Sequence, residues 1–298
     1  MLENYRKESM FLRSELLLGI MDIYVTKADG STQLYDRGRV LKTCLRMGVS
    51  REVADVVADK IEQKLYNGIK TRKILDHIFT LLTEYRPVIS HLVNLRKALS
   101  LLNPVPDFET YVRILLQEYG YTVTPNQIVQ GKCAEHEIDG IAQKEGITYY
   151  VEIKHHKNYH TRTDMDPVRI SRAVFEDITE GYVQGINDVH IDRAMIVSNT
   201  KFSEQALQYA ECRNITHLGW NTPVDQDLPT MIMEKKIYPV TYLKELTRPV
   251  RKKLLSSNIL LLQDLVESTL HEIVEKTGIE KKHIEHLIED AHTILSGL

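Results

Sequence analysis

Residues 136–156, HEIDGIAQKEGITYYVEIKHH, contain two stretches in which apolar side chains alternate with other types, separated by Lys-Glu-Gly. Successive side chains of a β-strand point to opposite faces, so this pattern predicts two antiparallel strands joined by a short turn. Charged residues interrupt the pattern at Asp139, Glu152 and Lys154. Glu152 and Lys154 share one face of their strand, and the pairing is expected to bring Asp139 close to Glu152.

The segments around this hairpin alternate between helix and strand patterns. FETYVRILLQEYG, which Asp107 can cap, is helical, and YTVTPNQIV is a strand. After the hairpin, the pattern predicts a helix from about Pro167 through Ile178 that continues past Gly181. The apolar strand RAMIVSN, the helix SEQALQYAECRN and the strand THLGW follow. Continuous apolar runs between helices predict an α/β fold with a central mixed sheet flanked by helices.

The rest of the chain divides around this α/β region. IYVTKADGSTQLYD has an Asp-Gly turn typical of a hairpin, and it precedes helical patterns at residues 39–47, 50–66, 71–84 and 91–102. Short amphipathic helices follow from about residue 243. We therefore predict an α+β domain at residues 1–100, the α/β domain at 101–242 and an all-helical tail at 243–298.

Composition narrows the class of protein. The 298 residues are 43% hydrophobic and 27% charged, as in soluble globular proteins, and the chain shows neither a membrane-length apolar run nor a signal-peptide pattern. The three cysteines are far apart, which fits a reducing compartment, so we expect a cytoplasmic protein. Residues 101–233 are net acidic, so nucleic-acid binding there would require metal ions or basic neighbouring segments.

Two carboxylates that converge on one sheet face repel one another unless a cation lies between them. Mg²⁺ prefers oxygen ligands and is commonly held by one or two carboxylates together with phosphate oxygens. A lysine beside such an ion can orient an attacking water and offset charge on the phosphorus oxygens, which is the chemistry of phosphodiester hydrolysis. The alternative is that Asp139, Glu152 and Lys154 are solvated charges on a half-exposed hairpin.

The histidines nearby are a separate question. Cys133 and His136 have the spacing of a zinc half-site, but no second pair completes four ligands. His155 and His156 could contact phosphate, and we expect them instead to be exposed loop residues.

The segments FETYVRILLQEYGY, HEIDGIA, YYVEIK and AMIVSNTKFSEQALQYAECRNITHLGW, within residues 107–221, resemble the Mrr-type branch of the PD-(D/E)xK nuclease superfamily, with kinship to archaeal Holliday-junction resolvases. The resemblance implies a restriction-endonuclease-like fold and a DNA substrate. It also implies that Asp139 and Glu152 bind Mg²⁺ or Mn²⁺, that Lys154 is catalytic, and that Glu109 reaches the metal through water. Ile138-Asp139 stands where the superfamily carries Pro-Asp.

The segments VTKADGSTQLYD and YNGIKT, within residues 23–87, resemble the ATP-cone domain that regulates ribonucleotide reductases. The resemblance implies that ATP or dATP binds here as a regulatory ligand, with contacts from Val25, Lys27, Arg39, Lys42 and Thr71. Ala28 and Leu75 depart from the family pattern, where an arginine and, in some members, a histidine occur. The alternative is a small domain used only for dimerisation.

The tail segment EIVEKTGIEKKHIEHLIEDAHTIL resembles a helix-hairpin-helix unit, with Gly278-Ile279 at the turn, although the usual Gly-x-Gly is missing. Such a unit contacts DNA phosphates through backbone N–H groups, and the basic segment RPVRKK could lie along the same backbone. Protein contact or plain packing is the alternative for these strongly acidic helices.

Taken as a whole, the patterns predict a metal-dependent DNA endonuclease regulated by ATP or dATP, acting as a homo-oligomer because cutting both strands requires two active sites. One alternative is a non-catalytic, nucleotide-responsive DNA-binding regulator. Another is a structure-specific nuclease for branched DNA or RNA.

Overall fold

The computed structural model describes residues 23–86, 89 and 94–297. These residues form two compact units, the first from the part of the chain up to residue 90 and the second from residues 91–296. In the described ranges, no helix is both long and apolar enough to cross a membrane. The start of the helix predicted at residues 91–102 lies outside the described residues.

The first unit contains a small three-stranded sheet and three helices. The predicted hairpin is present: β1 (Tyr24–Thr26) pairs antiparallel with β2 (Thr32–Leu34). β1 also pairs in parallel with β3 (Ile69–Lys70). The helices are α1 (Arg37–Arg46), α2 (Arg51–Glu62) and α3 (Thr71–Tyr85).

The helices of the first unit begin where capping residues satisfy their first N–H groups. Asp36 accepts from Gly38 N at the start of α1, and Ser50 accepts from Val53 N at the start of α2. Helix α2 ends at Glu62, before the predicted limit of residue 66. Apolar side chains from the sheet and helices form the core of this unit, including Val25, Ala54, Val57, Ile61, Ile69 and Leu82.

The second unit is built on a five-stranded mixed sheet of order β10-β8-β6-β5-β4. β4, β5 and β6 form an antiparallel meander, whereas β6, β8 and β10 are parallel. The strands are β4 (Thr122–Gln130), β5 (Glu135–Lys144), β6 (Ile147–Lys154), β8 (Arg193–Ser198) and β10 (Thr216–Leu218). Two short strands, β7 (Arg162–Thr163) and β9 (Lys201–Phe202), form a separate parallel pair.

Helices flank this sheet, as the sequence predicts. They are α4 (Leu95–Ser100), α5 (Glu109–Glu118), α6 (Met165–Val183), α7 (Glu204–Cys212) and α8 (Leu228–Glu234). Val168 and Ile178 of α6 and Ala206 of α7 pack in one apolar cluster with Tyr150 and Ile196 of the sheet. A mixed sheet covered by helices fits a restriction-endonuclease-like fold.

The tail is helical and packs within the second unit. Its helices are α9 (Arg248–Ser256), α10 (Leu262–Glu267), α11 (Leu270–Thr277) and α12 (Lys281–Gly297). Gly278, with φ of 58°, ends α11 in the left-handed conformation that glycine favours. Lys253 Nζ donates to Gly278 O at 2.8 Å, so one lysine of the basic segment RPVRKK contacts the hairpin turn itself.

Candidate active site

The two strands of the predicted hairpin separate partway along their length. β5 and β6 are paired from Lys144 and Ile147 to Gly140 and Val151. Beyond this point β5 continues along β4, and β6 continues along β8. We call the point of separation the strand fork. Asp139 lies there, and its Oδ2 accepts a hydrogen bond from Ile153 N at 2.6 Å.

Glu152 and Lys154 lie on β6 at the strand fork, on one face as the alternation predicts. Lys154 Nζ is 3.6 Å from Glu152 Oε1. Tyr150, two residues earlier on the same face, donates its hydroxyl hydrogen to Glu152 Oε2 at 2.7 Å. The tyrosine therefore holds one carboxylate oxygen and leaves the other toward the lysine.

The carboxyl groups at the strand fork are close enough to affect one another. The pKa of Asp139 is raised to about 7 by burial and by the charges of Glu152 and Glu109, against the opposing effects of the Ile153 N–H and Lys154. Glu109, the first residue of α5, is 8% exposed. Burial raises the pKa of Glu109 as well, and Glu152 contributes by repulsion. The structure thus brings Asp139, Glu152 and Lys154 together at the strand fork, with Glu109 near enough for its charge to affect the pKa of Asp139.

The donor set can be compared with what a divalent ion requires. Asp139 and Glu152 offer carboxylate oxygens at the same fork, and a cation between them would relieve the repulsion that adds to burial in raising the pKa of Asp139. Among the described residues, no three His, Cys, Asp or Glu side chains are grouped to hold an ion. Two carboxylates fit Mg²⁺ or Mn²⁺, because Mg²⁺ retains waters and takes further oxygens from substrate phosphates.

The histidines after Lys154 are half-buried, so the expectation of exposed loop residues is wrong for both. His155 Nε2 lies 3.0 Å from Leu99 O, and its ring is tilted against Phe108 at 4.9 Å. His156 Nε2 lies 3.2 Å from Thr163 Oγ1. Burial lowers the pKa of both rings. These contacts indicate that the two histidines hold the loop that leaves the site.

A buried hydroxyl network continues from His156. Thr163 Oγ1 lies 2.7 Å from Ser198 Oγ and 3.1 Å from Thr200 Oγ1, and all three side chains are fully buried. Ser198 is the register partner of Lys154 across β6 and β8. The loop between Lys154 and Thr163 is thus attached at both ends to the sheet edge that carries the lysine.

Within the described residues, His136 is not part of a group of three or more His, Cys, Asp or Glu side chains that could hold zinc. Its Nε2 is 2.7 Å from Asp177 Oδ2 on α6, and Asp177 also accepts from Cys133 N and Ala134 N. The hydrogen bond from His136 lowers the pKa of Asp177 to about 2, with the backbone donors contributing. Cys133 and His136 therefore serve to fasten the loop before β5 to α6.

A cavity of about 410 Å³ opens beside β7, between the first residues of α6 and α7. Its lining includes Arg162 and Arg169 together with the carboxylates of Asp164, Asp166 and Glu204. None of the four predicted catalytic residues lines it. The carboxylate cluster at the strand fork, rather than this cavity, is the candidate for chemistry.

In the first unit, two of the predicted nucleotide contacts follow neighbouring parallel strands. Lys27 comes directly after β1, and Thr71 begins α3 directly after β3; Thr26 and Lys70 are register partners. Parallel strand ends that lead into a helix are a frequent position for phosphate contacts. Val25 is buried in the sheet.

The remaining two predicted contacts lie on α1. Arg39 forms an exposed ion pair with Asp36 at 3.2 Å, and Lys42 is exposed.

Comparison with known proteins identifies two parts of the second unit. Residues 104–218 match the Mrr catalytic family, described as restriction endonuclease. Residues 238–295 match the family described as AF1548-like, C-terminal. The first match, with the mixed sheet, supports a nuclease domain of restriction-endonuclease-like fold, for which a nucleic acid is the substrate. The ATP-cone resemblance falls outside both matched ranges.

Similar proteins cover most of the chain. An uncharacterized protein of Archaeoglobus fulgidus is 31% identical over 182 residues, which are 61% of this chain and 98% of the relative. The crystal structure of AF1548, a protein of unknown function, has a TM-score of 0.53 and 28% identity, covering 69% of this chain and all of that one.

A structure of Can2 from Sulfobacillus thermosulfidooxidans in complex with cyclic tetra-adenylate covers 43% of this chain and 35% of its own. Its TM-score of 0.30 and identity of 14% are too low to carry an argument about ligand or activity. The Archaeoglobus relative, in contrast, matches over nearly its whole length. This chain, with its restriction-endonuclease-like nuclease domain, belongs to the AF1548-like family.

Proposed function

We propose that the protein is a metal-dependent DNA endonuclease of the PD-(D/E)xK type, which hydrolyses phosphodiester bonds at the strand fork. The observation that carries the proposal is the convergence of Asp139, Glu152 and Lys154 where β5 and β6 separate. Burial and like charge raise the pKa of Asp139 to about 7, as expected for a site that is completed by a cation.

Each residue has a distinct role in this proposal. Asp139 and Glu152 would hold Mg²⁺ or Mn²⁺, which when bound supplies positive charge to the phosphate oxygens and lowers the pKa of a water. Lys154, next to Glu152, would orient the attacking water and offset the charge that develops on the phosphorus oxygens. Glu109 would contribute an acceptor for a metal-bound water, and Tyr150 would keep Glu152 in position.

The experiment is plasmid nicking in Mg²⁺ and in Mn²⁺, with Glu152→Gln and Lys154→Ala as the test variants. Both should abolish nicking while the circular dichroism spectrum is retained. Lys157→Ala, an exposed lysine in the following loop, is the matched control and should nick at the rate of the unaltered protein. Nicking by the Glu152 and Lys154 variants at normal rates would disprove the assignment of the site.

The same preparations distinguish the alternatives. A non-catalytic DNA-binding regulator would bind plasmid without cutting it in either metal, and its binding would not respond to the two substitutions. A structure-specific enzyme would prefer branched DNA or RNA over plasmid. A substrate panel of plasmid, methylated, branched and single-stranded DNA, and RNA, therefore decides the target.

Nucleotide regulation by ATP or dATP is a second part of the proposal. It is supported by the position of Lys27 and Thr71 at adjacent ends of the parallel strands β1 and β3. Lys27→Ala should remove any effect of ATP or dATP on the nicking rate and on the homo-oligomeric state, measured by light scattering. If rate and mass are indifferent to both nucleotides in the unaltered protein, the regulatory proposal fails and the nuclease proposal stands.

A further inference from the structure

Arg96 is a half-buried cation on α4 without an acidic partner among the described residues. Its guanidinium lies 5.7 Å from the ring centre of Trp220. Its Nε is buried and has no hydrogen-bond partner within the part of the chain that the structure describes. By comparison, Arg37 and Arg172, which are also half-buried, each contact a carboxylate at 2.7 Å.

The charged neighbour of Arg96 is a second arginine. The pKa of Arg96 is lowered to about 10, chiefly by burial and also by repulsion from Arg162, while Tyr159 acts in the opposite direction. Arg96 remains positively charged at neutral pH. A desolvated cation beside a like charge is unfavourable by itself, so this arrangement indicates that an anion completes it when it binds.

The fold attaches both arginines to the strand that carries Lys154. His155, the next residue, lies 3.0 Å from Leu99 O on α4, the helix of Arg96. Thr241 Oγ1 donates to Ala98 O at 2.8 Å and holds α4 from another direction. Arg162 begins β7, next to Thr163 of the buried hydroxyl network. Neither arginine is therefore on a free loop.

The cavity that Arg162 also lines would not hold an anion by itself, because it has the carboxylates of Asp164, Asp166 and Glu204 against Arg162 and Arg169. No carboxylate is among the groups that shift the pKa of Arg96. The anion position thus lies on the Arg96 side of Arg162. Trp220 can cover one face of the Arg96 guanidinium, and the N–H groups on the two terminal nitrogens of that guanidinium can donate to oxygen acceptors.

We propose that Arg96 and Arg162 form a phosphate-binding subsite for the backbone of the nucleic-acid substrate, next to the strand fork. The identity of the ligand rests on the proposed nuclease function. The net acidity of residues 101–233 makes such a subsite necessary, because diffuse attraction would not hold a nucleic acid on this domain. Free phosphate has the same chemistry and is distinguished by the experiment below.

Trp220 is the only tryptophan of the chain, so its fluorescence reports directly on this subsite. The full-length protein is titrated, without divalent ions, with duplex DNA, with single-stranded DNA and with inorganic phosphate. We expect a saturable change in Trp220 emission with DNA. Arg96→Gln should abolish it, and Arg162→Gln should weaken binding about tenfold, the effect of losing one charged hydrogen bond.

Salt dependence gives a second measurement. Each arginine substitution should reduce the slope of log affinity against log salt by about 0.9, as expected for one lost phosphate contact. Arg172→Gln is the matched control, because Arg172 is half-buried but paired with Glu176. It should leave both the emission change and the slope unaltered. Arg162 is exposed, so its variant tests the subsite even if the Arg96 variant folds poorly.

The outcomes separate the two proposals. Emission changes that Arg96→Gln and Arg162→Gln leave intact would disprove the subsite, even if the protein cuts DNA. A response to inorganic phosphate but not to DNA would also disprove it as a nucleic-acid subsite. A DNA response lost in both variants, in a protein that does not nick any substrate with Mg²⁺ or Mn²⁺, would support the subsite and disprove the nuclease function.

Discussion

Both units of this protein contain groups of acidic side chains, but an acid is shifted to lower pKa in the first unit and to higher pKa in the second. In the first unit, Arg37 contacts Asp55 at 3.2 Å, Asp59 at 2.8 Å and Glu62 at 2.7 Å. Burial acts against the charged form of Arg37, but its bonds with these acids raise its pKa overall. The three carboxylates are therefore all within ion-pair distance of the Arg37 guanidinium.

In the second unit, Glu152 and Lys154 are 3.6 Å apart, and the charges of Glu152 and Glu109 both act on the buried Asp139. Burial, with repulsion from Glu152 and Glu109, raises the pKa of Asp139, whereas the pKa of Asp55 in the first unit is lowered, chiefly by its bond with Arg51. The comparison teaches that crowding of acids is not by itself a sign of function. What distinguishes the strand fork is that its acids are buried and repel one another, so that the pKa values of Asp139 and Glu109 are raised.

The largest expected effect is on catalysis. Asp139→Asn should reduce the initial rate of plasmid nicking in Mg²⁺ by about 10³-fold or more, since it removes a proposed metal ligand. Asp59→Asn removes a carboxylate from the group around Arg37 and should leave the rate within about twofold, because a half-exposed ion pair contributes little. Equal effects of the two substitutions would remove the distinction between the two groups.

The next effect is on the pH dependence of stability. Because the folded-state pKa of Asp139 is about 7 against an ordinary 3.8, the metal-free folded protein binds this proton more tightly than the unfolded chain. The free energy of unfolding of the second unit should therefore fall by about 3 kcal/mol as pH rises from about 4 to 7. Urea unfolding in the presence of a metal chelator, repeated across this pH range, measures the decline in the free energy of unfolding. Asp139→Asn should remove the decline.

Asp177 provides the opposite sign within the same unit. Its pKa is lowered to about 2, chiefly by the hydrogen bond with His136, so its contribution to stability is present above its ordinary pKa of 3.8 and is lost as pH falls toward 2. Asp177→Asn should flatten the acid limb of the curve and leave the decline up to pH 7 in place. A decline that Asp139→Asn leaves unchanged would contradict the assigned cause.

The third effect concerns the first unit. Arg37→Met leaves partly buried acids without their cation and should lower the free energy of unfolding of this unit by about 2 kcal/mol. Arg51→Met removes only an exposed pair with Asp55 and should cost about 0.5 kcal/mol. Hydrogen exchange of the α2 amides in the full-length protein gives both values. Similar losses would mean that Arg37 is no better placed than a surface arginine.

The smallest effect is on the position of Glu152. Tyr150→Phe removes the hydroxyl that donates to Glu152 and should weaken the apparent Mg²⁺ affinity of nicking about tenfold, as for other residues that orient a metal ligand. Tyr149→Phe, on the neighbouring buried position of β6, is the control and should leave metal affinity unchanged. A lower rate at saturating Mg²⁺ with unaltered affinity would contradict this positioning role.

The sequence was sufficient for the sheet and for the grouping of Asp139, Glu152 and Lys154, because alternation determines which side chains share a strand face. It was not sufficient for the strand fork, since the point where two paired strands separate depends on their outer neighbours β4 and β8. Tyr150 could have been found from its spacing of two residues from Glu152, but a buried aromatic residue is more often only part of a core.

Contacts between distant segments could not be predicted. The sequence predicts His155 and His156 to be exposed, because nothing local shows that Leu99 and Thr163 will lie beside them. The position of Arg96 over Trp220 likewise depends on how α4 packs on the sheet. Helix boundaries differed by a few residues, as at the end of α2, where the pattern continued past the last helical hydrogen bond.

The hydrogen bond between Asp139 and Ile153 N has a consequence for how this enzyme could change over evolution. One carboxylate oxygen accepts a hydrogen bond from a backbone N–H of β6, as a carbonyl of a neighbouring strand would, while the other oxygen is left for a ligand. Loss of this side chain would leave the N–H of Ile153 without its hydrogen-bond acceptor and would also remove the carboxylate oxygen that is left for a ligand. The side-chain oxygen of asparagine can still accept this hydrogen bond. We therefore expect asparagine at this position in a descendant that keeps the fold and has lost the catalytic activity.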